Sequence, residues 1–556
     1  MKYKRKIFEL LKGCRKELLI VIPCMIVITI STFAQPLVIR EIMDSGMIKK
    51  NMSTIIMNTI ILFILYLTAQ IFSFIQTKLF VKMHNIISKQ LYTLAFHKIC
   101  LLPVHYYSSH SGTEVTNQVL SDVDTTSAIT DTVLSFTFMS VFQIISGILG
   151  LAVINWKLSI LVLIAIPVKY ICVVISSEIK KKHTKKYLEN MQNLYSRLGD
   201  IISGIKEIKI WQIEHNIALG FSKLQDKLLG SFEKRTMSDQ TQSFVEIMSS
   251  LLVQCLVYLV GGFMVVNGKL SVGSMIAFIA YVGSTLSPIS TLIHIRYNLA
   301  SIQPSMERLF VFLDLPEETE QRKLDNVTMR MHEKKKGPVI EFKNVEFSYN
   351  QKHTVLKNVS FKIYRGEKVL LIGKNGSGKS TVLDLLLGFY TPNKGSIEIN
   401  GCNIQEYDLK YLRSMFSVVV QAPYLFNDTI ENNIDIKSIN NSTKLHEICR
   451  ECGVDVFANK DSKGYKHMLG NSANNVSGGE KKKIAVARAL FNAADIYIFD
   501  EATAGYDKTS YSKFLGSIQC SLKDSTIINV SHNSNEFYYA DRIIELNDGY
   551  ATQRLR

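Results

Sequence analysis

The sequence predicts two parts in one chain: an all-α membrane domain of six helices over residues 1–314, and a soluble α/β domain over residues 338–556. Three observations predict it. Six long runs in the first half carry almost no charge, and lysine and arginine crowd the segments on one side of those runs. From Pro338 onward the composition turns ordinary, with short apolar strands between polar helical patterns. The averages agree with such a split, since 47% hydrophobic residues and a mean hydropathy of +0.12 coexist with 20% charged residues. A length of 556 residues also exceeds what one compact core supports.

Residues 18–39, 52–77, 132–156, 247–267 and 270–293 are uncharged, and 158–177 is interrupted only by Lys169. Each holds about the 20 residues that an α-helix needs to cross ~30 Å of hydrocarbon. Segments 1–17, 78–131 and 178–246 together carry 23 Lys and Arg residues, against five in 40–51, Lys157 and Lys269. The basic side is the cytoplasmic one, so both termini are expected inside and two long loops hang into the cytosol. Asn155-Trp156-Lys157 and Asn267-Gly268-Lys269 leave room only for tight outer turns. The basic start, the first apolar run and Thr32-Phe33-Ala34 imitate a secretory signal. The run is long for one and five more spans follow, so it reads as an uncleaved span. Before it, Lys4–Lys12 reads as a segment lying on the inner membrane surface.

The formal charge of +16 sits largely beside the apolar runs, which fits membrane topology and not a nucleic-acid footprint. Nine cysteines are scattered. Cys449 and Cys452 form one C-x-x-C with no second pair at zinc spacing, so they read as reduced thiols on a cytosolic helix. Residues 315–337, rich in charge and poor in large apolar residues, read as a linker.

The motif that carries chemistry is Gly373-Lys374-Asn375-Gly376-Ser377-Gly378-Lys379-Ser380-Thr381. It follows an apolar strand, Val369–Ile372, and opens a helical pattern, the context that a phosphate-binding loop requires. Glycines let backbone N–H groups turn inward around phosphates at the positive end of a helix. Lys379 is placed to reach the outer phosphates and Ser380 to ligate Mg2+. A second buried strand, Ile496–Asp500, ends in Asp500-Glu501. Two acids at a strand end are often no more than a helix cap. After a phosphate loop they read as a Mg2+ ligand, Asp500, and a general base for the attacking water, Glu501. A third strand, Thr526–Val530, leads to Ser531-His532, and His532 is read as catalytic.

Val476-Ser477-Gly478-Gly479-Glu480 precedes another helical pattern and is, by local physics, a capping box. Beside the loop and the strand acids it resembles the signature of ATP-binding cassette (ABC) proteins, usually written LSGGQ. Most of the chain is similar to an ABC half-transporter of the exporter type. The resemblance implies the type-1 exporter fold in front of a P-loop ATPase, with ATP and Mg2+ as cofactors. It places Tyr349 against adenine and Gln421 on Mg2+ as the Q-loop glutamine, with Asp507 in the D-loop. It also implies that residues 102–114 and 203–207 lie near coupling helices. Ser477, Gly478 and Gly479 would meet the ATP held by the facing subunit's loop. The expected assembly is therefore a dimer.

The signature departs in Val476 and Glu480, the D-loop reads Ala504-Gly505-Tyr506-Asp507, and Gly470–Asn474 lacks the acid often found there. No catalytic position is broken, which favours a homodimer, although the active chain of a heterodimer carries the same set. The expected activity is ATP-driven export of an amphipathic peptide, lipid or drug-like molecule across a bacterial plasma membrane by alternating access. The alternative is import of siderophore-like cargo on the same fold, or an ATP-gated regulator. Lys169, about 18 Å down from the outer turn, is a candidate substrate residue or a lysine that snorkels to the inner surface. The sequence leaves both readings open.

Overall fold

The computed structural model describes residues 10–555 other than 11, 111, 319–336, 350–352, 460–461, 471–474, 504–511, 513, 515, 517–521 and 532–539. Most of the expected linker, much of the Lys4–Lys12 segment, Asp507 and His532 lie outside the described residues. The chain divides into two compact units, Met1–Cys100 with Gly112–Leu315 and Leu101–Ser111 with Pro316–Arg556.

The first unit is helical because hydrocarbon supplies no partner for backbone N–H and C=O groups, and a helix satisfies them within itself. Its main elements are α1 (Arg15–Glu41), α2 (Met52–Leu101), α4 (Gly112–Ser127), α5 (Phe136–Ser203), α6 (Ile205–Trp211), α7 (Glu214–Val266) and α8 (Val272–Leu313). α3 (Val104–Ser109) belongs to the second unit. Among the described residues, five helical runs are long and apolar enough to cross a membrane. The 50 residues of α2 extend about 75 Å, so its apolar stretch is only part of a longer rod. α5 is two helices in sequence. Asn155, at φ −160° and ψ 105°, interrupts it, and the Asn155 Oδ1 accepts the Leu158 N–H at 3.1 Å, capping the segment that follows. This break falls within the expected Asn155–Lys157 turn.

Small residues bring α5 and α8 together. A Cβ on Gly147 would lie 2.2 Å from Thr285 Oγ1, and one on Gly150 would lie 2.3 Å from the Tyr281 ring. Close backbone approach of this kind drives helix association in membranes. Phe278, Tyr281, Val282 and Leu286 of α8 fill the core beside Leu151, Leu158 and Val162 of α5. Asp122 of α4, buried, receives a two-pronged bond from Arg308 at 2.6 and 3.1 Å.

Among the described residues, the second unit has two sheets. An antiparallel one runs β2-β1-β4-β5 and a larger one β10-β9-β3-β8-β7-β6. The strands are β1 (Ile340–Phe347), β2 (Leu356–Ile363), β3 (Lys368–Gly373), β4 (Lys394–Ile399), β5 (Cys402–Asn403), β6 (Phe416–Val419), β7 (Ile496–Asp500), β8 (Thr526–Val530), β9 (Arg542–Asn547) and β10 (Tyr550–Leu555). From β9 through β3, β8 and β7 to β6 the neighbours are parallel. Val369, Leu370 and Leu371 of β3 and Ile496 to Phe499 of β7 are buried, as expected for strands covered on both faces. Parallel order places the C-terminal ends of β3, β7 and β8 on one edge, where such sheets bind ligands. Among the helices, α9 (Lys379–Leu386) follows β3 and α14 (Gly478–Phe491) precedes β7; between them lie α10 (Leu409–Ser414), α11 (Ile430–Ile434), α12 (Ser442–Glu451) and α13 (Asp455–Ala458). Cys449 and Cys452 are free, and burial pushes the Cys449 thiol up to about 12.

Candidate nucleotide site and membrane polar centre

β3 delivers the chain into the Gly-rich loop, and two glycines there have structural necessity. Gly373 (φ 155°) would bring a Cβ to 2.4 Å from the Leu546 carbonyl, and Gly378 (φ 103°) to 2.6 Å from Leu356 Cδ2. The loop therefore closes against β9 and β2 only without side chains. Lys379 opens α9, and its Nζ donates to the carbonyls of Gly373 at 2.7 Å and Lys374 at 3.1 Å. The ammonium thus lies back across the loop it must serve. Burial pulls its pKa below the usual lysine range, against the opposing pull of Glu501 and Asp500. Ser377 Oγ is buried and makes no hydrogen bond among the described residues. An orphaned hydroxyl inside the loop, beside a lysine in need of an anion, fits a bound phosphate. Asn375, Gly376 and Ser380 are exposed, while Thr381 is buried.

Asp500 closes β7. Burial, with the charge of Glu501 added, raises its carboxyl above the usual aspartate range, and Lys379 opposes this. A carboxylate held against its own desolvation suits a cation, so the donor set of Ser380, Asp500 and Gln421 fits Mg2+. Glu501 takes a left-handed φ of 47°. Its N–H donates to the Val530 carbonyl at 2.9 Å, and its Oε2 accepts Gln421 Nε2 at 2.8 Å. The structure thereby brings together Gln421 and Glu501, 80 positions apart in the chain.

Tyr349, half exposed, has its hydroxyl 3.1 Å from Thr381 Oγ1 and donates to Asp384 Oδ2 at 3.2 Å. Phe347 and Tyr390 pack edge-on to its ring at 4.9 and 5.0 Å. Asp384, whose carboxyl burial raises, and Tyr390 escaped the sequence reading, because neither belongs to the loop motif and both meet Tyr349 only through the fold. Ser477 caps α14. Its Oγ accepts the Glu480 N–H at 3.3 Å, and Glu480 Oε2 accepts the Ser477 N–H at 2.7 Å and its hydroxyl at 2.8 Å. Ser477, Gly478 and Gly479 form this cap, and among the described residues no hydrogen bond joins them to the Gly-rich loop.

In the first unit Lys169 is 2% exposed. Its Nζ donates to Ser250 Oγ at 2.8 Å and to the Leu286 carbonyl at 2.9 Å, tying α5 to α7 and α8. It is pinned between the three helices. Farther along the same helices, Glu246 and His294 approach to 2.8 Å, and the Gln242 amide lies 3.0 Å from Glu246 and 3.1 Å from Ser177 Oγ. Gln70, Gln143 and Gln254 are polar residues within the apolar runs. Gln70 and Gln143 are exposed and Gln254 half-buried, whereas Gln76 and Gln242 are buried.

Two family models match the chain: the ABC transporter transmembrane region over residues 18–289 and ABC transporter over residues 356–504. The chain is 27% identical over 540 residues to the alpha-hemolysin translocation ATP-binding protein HlyB of Escherichia coli O157:H7, covering 95% of this chain and 75% of that one. It is 28% identical over 466 residues to the ATP-dependent lipid A-core flippase of Alcanivorax borkumensis, covering 82% and 77%. With the lactococcin-A transport/processing ATP-binding protein LcnC of Lactococcus lactis it shares 26% over 547 residues, covering 96% and 74%. A solved bacterial Atm1-family ABC exporter with ATP bound superposes with a TM-score of 0.83 at 20% identity, covering 97% of this chain and 95% of that one.

Proposed function

We propose, for a chain that belongs to the ABC transporter family and carries its membrane region and its ATPase in one polypeptide, that ATP hydrolysis drives export of an amphipathic molecule. The observation that carries the reading is the fusion itself: a phosphate cradle with its base, Gln421–Glu501, on the chain that holds long apolar helices. Relatives named for a hemolysin, lipid A-core and lactococcins span peptide and lipid cargo, which supports an amphipathic class.

In this reading residues 1–314 hold six spans with both termini and the ATPase on the cytoplasmic side, and 338–556 form the ATPase. Lys379 leaves the loop carbonyls and takes the outer phosphates, with Ser377 and the backbone N–H groups of residues 374–381 around them. Tyr349 offers its ring to adenine. Ser380, Gln421 and Asp500 would hold Mg2+, which when bound would supply charge screening to the phosphates. Glu501 takes a proton from the attacking water, and His532 steadies the reacting phosphate. Ser477, Gly478 and Gly479 offer the positive end of α14 to the ATP of a second copy, so the working unit is a homodimer. Closure over ATP shifts the membrane helices between inward-open and outward-open populations. Lys169, buried and cationic, stands on the cargo path.

Glu501→Gln should lower turnover by about 100- to 10,000-fold, the usual contribution of a general base, while ATP still binds and closes a dimer. Hydrolysis at the wild-type rate in that variant would mean that the base is another group.

A further inference from the structure

We infer that Lys482 is a positioning residue for the general base, and that it makes the base's placement depend on the signature helix. The inference rests on the assignment of Glu501 as base and Ser477 as a contact for the partner copy's ATP.

Glu501 stands at φ 47°, a left-handed backbone that a side-chain-bearing residue keeps only when its surroundings hold it. Among the described residues, Val530, Lys482 and Gln421 hold it. The N–H, whose direction φ sets, donates to the Val530 carbonyl at 2.9 Å. The carbonyl, whose direction ψ sets, accepts Lys482 Nζ at 2.8 Å. The carboxylate accepts Gln421 Nε2 at 2.8 Å. With both dihedrals tethered, the Cα–Cβ bond of Glu501 has one direction, and the carboxylate is aimed before any water arrives.

Val530 is on the central sheet and Gln421 follows β6, but Lys482 is on α14, five positions after the cap residue Ser477. It is half-buried, and its bond to the carbonyl is charge-assisted, stronger and shorter than a neutral one. One rigid helix therefore ends in the residue that meets one ATP and carries the residue that sets the base for the other. Movement of α14 on engaging a phosphate is passed to ψ of Glu501 through Lys482. Sequence spacing gives no sign of this, because three consecutive lysines, 481 to 483, look like a solvated face.

The test is steady-state ATPase of the purified full chain in lipid nanodiscs, with ATP affinity measured separately. Lys482→Met removes the donor and keeps the stem. The expected result is a fall in kcat of about tenfold, an ATP Kd within about twofold of wild type, and recovery by Lys482→Arg, which restores a charged donor. The unchanged Kd also shows an intact fold; should the Met variant fail to express, Lys482→Gln takes its place. In a Glu501→Gln background the same change should add nothing, since the residue it positions is gone. A kcat fall of less than about threefold, a parallel loss of ATP affinity, or failure of Arg to restore turnover overturns the inference. If Glu501→Gln alone hydrolyses normally, it is the base assignment that fails. If that variant is inactive and Lys482→Met is normal, only the link fails.

Discussion

Replacing Lys169 by methionine separates two uses of a buried intramembrane cation. The ammonium donates to Ser250 Oγ and to the Leu286 carbonyl at 2.8 and 2.9 Å, and hydrogen bonds to a charged group contribute about 1.5–3 kcal/mol each. Against them stands the desolvation of the charge, several kcal/mol for a residue 2% exposed. Neither acceptor is left orphaned, because Ser250 Oγ also donates to the Glu246 carbonyl at 2.9 Å and Leu286 lies inside a helix. Methionine fills nearly the same space. The two terms then cancel, or the variant gains about 1–4 kcal/mol, as isosteric apolar replacements of buried ions do. The assay has two arms: thermal unfolding of the purified chain in detergent, and ATPase rate across a panel of peptides, lipids and dyes. Equal or higher unfolding temperature with loss of cargo-stimulated ATPase is the expected result. A destabilisation near the 3–5 kcal/mol of a broken buried pair, with stimulation intact in the folded fraction, would refute the argument and make Lys169 a structural tie.

Two further outcomes follow from the nucleotide site. Alanine at Gly378 imposes a left-handed φ and sets a Cβ 2.6 Å from the buried Leu356, together costing about 2–5 kcal/mol; thermal protection by ATP should disappear, and normal protection would contradict the cradle geometry. The Asp500 carboxyl is raised by burial and by Glu501, so falling pH protonates it sooner than the ordinary aspartate range near about 4. The Mg2+ concentration for half-maximal ATPase should therefore climb as pH drops from about 7.5 to about 5.5, and a flat dependence would remove Asp500 from the metal shell.

What the sequence could disclose was local. The strand, glycines and lysine of residues 369–381 are adjacent, and each glycine answers a backbone demand that neighbouring residues create. The cap at Ser477 needs only Glu480 three positions on. The apolar runs are equally local, and that is why they hid helix length: hydropathy ends near residue 77, but α2 continues to Leu101 because its polar continuation still favours helix. The turn at Asn155 was legible as a charge-bearing gap, although the break is a single residue whose own side chain caps the next helix. Partners far apart in the chain were not legible. Lys169 finds Ser250 and Leu286, 81 and 117 positions away, and Glu501 finds Lys482 and Gln421 only because α14 and β6 pack beside β7. The glutamines that polarity singles out fall at exposed and half-buried positions, since burial in a helix bundle depends on which face meets a neighbour.

The most direct measurement is the direction of transport. The chain is reconstituted in liposomes with its ATPase facing outward, ATP and Mg2+ are added outside, and any molecule that stimulates hydrolysis is followed across the bilayer. The account predicts ATP-dependent accumulation inside the vesicle, away from the ATPase, abolished by Glu501→Gln. Movement out of the lumen toward the ATPase side, or accumulation that persists in the Glu501→Gln protein, would contradict it.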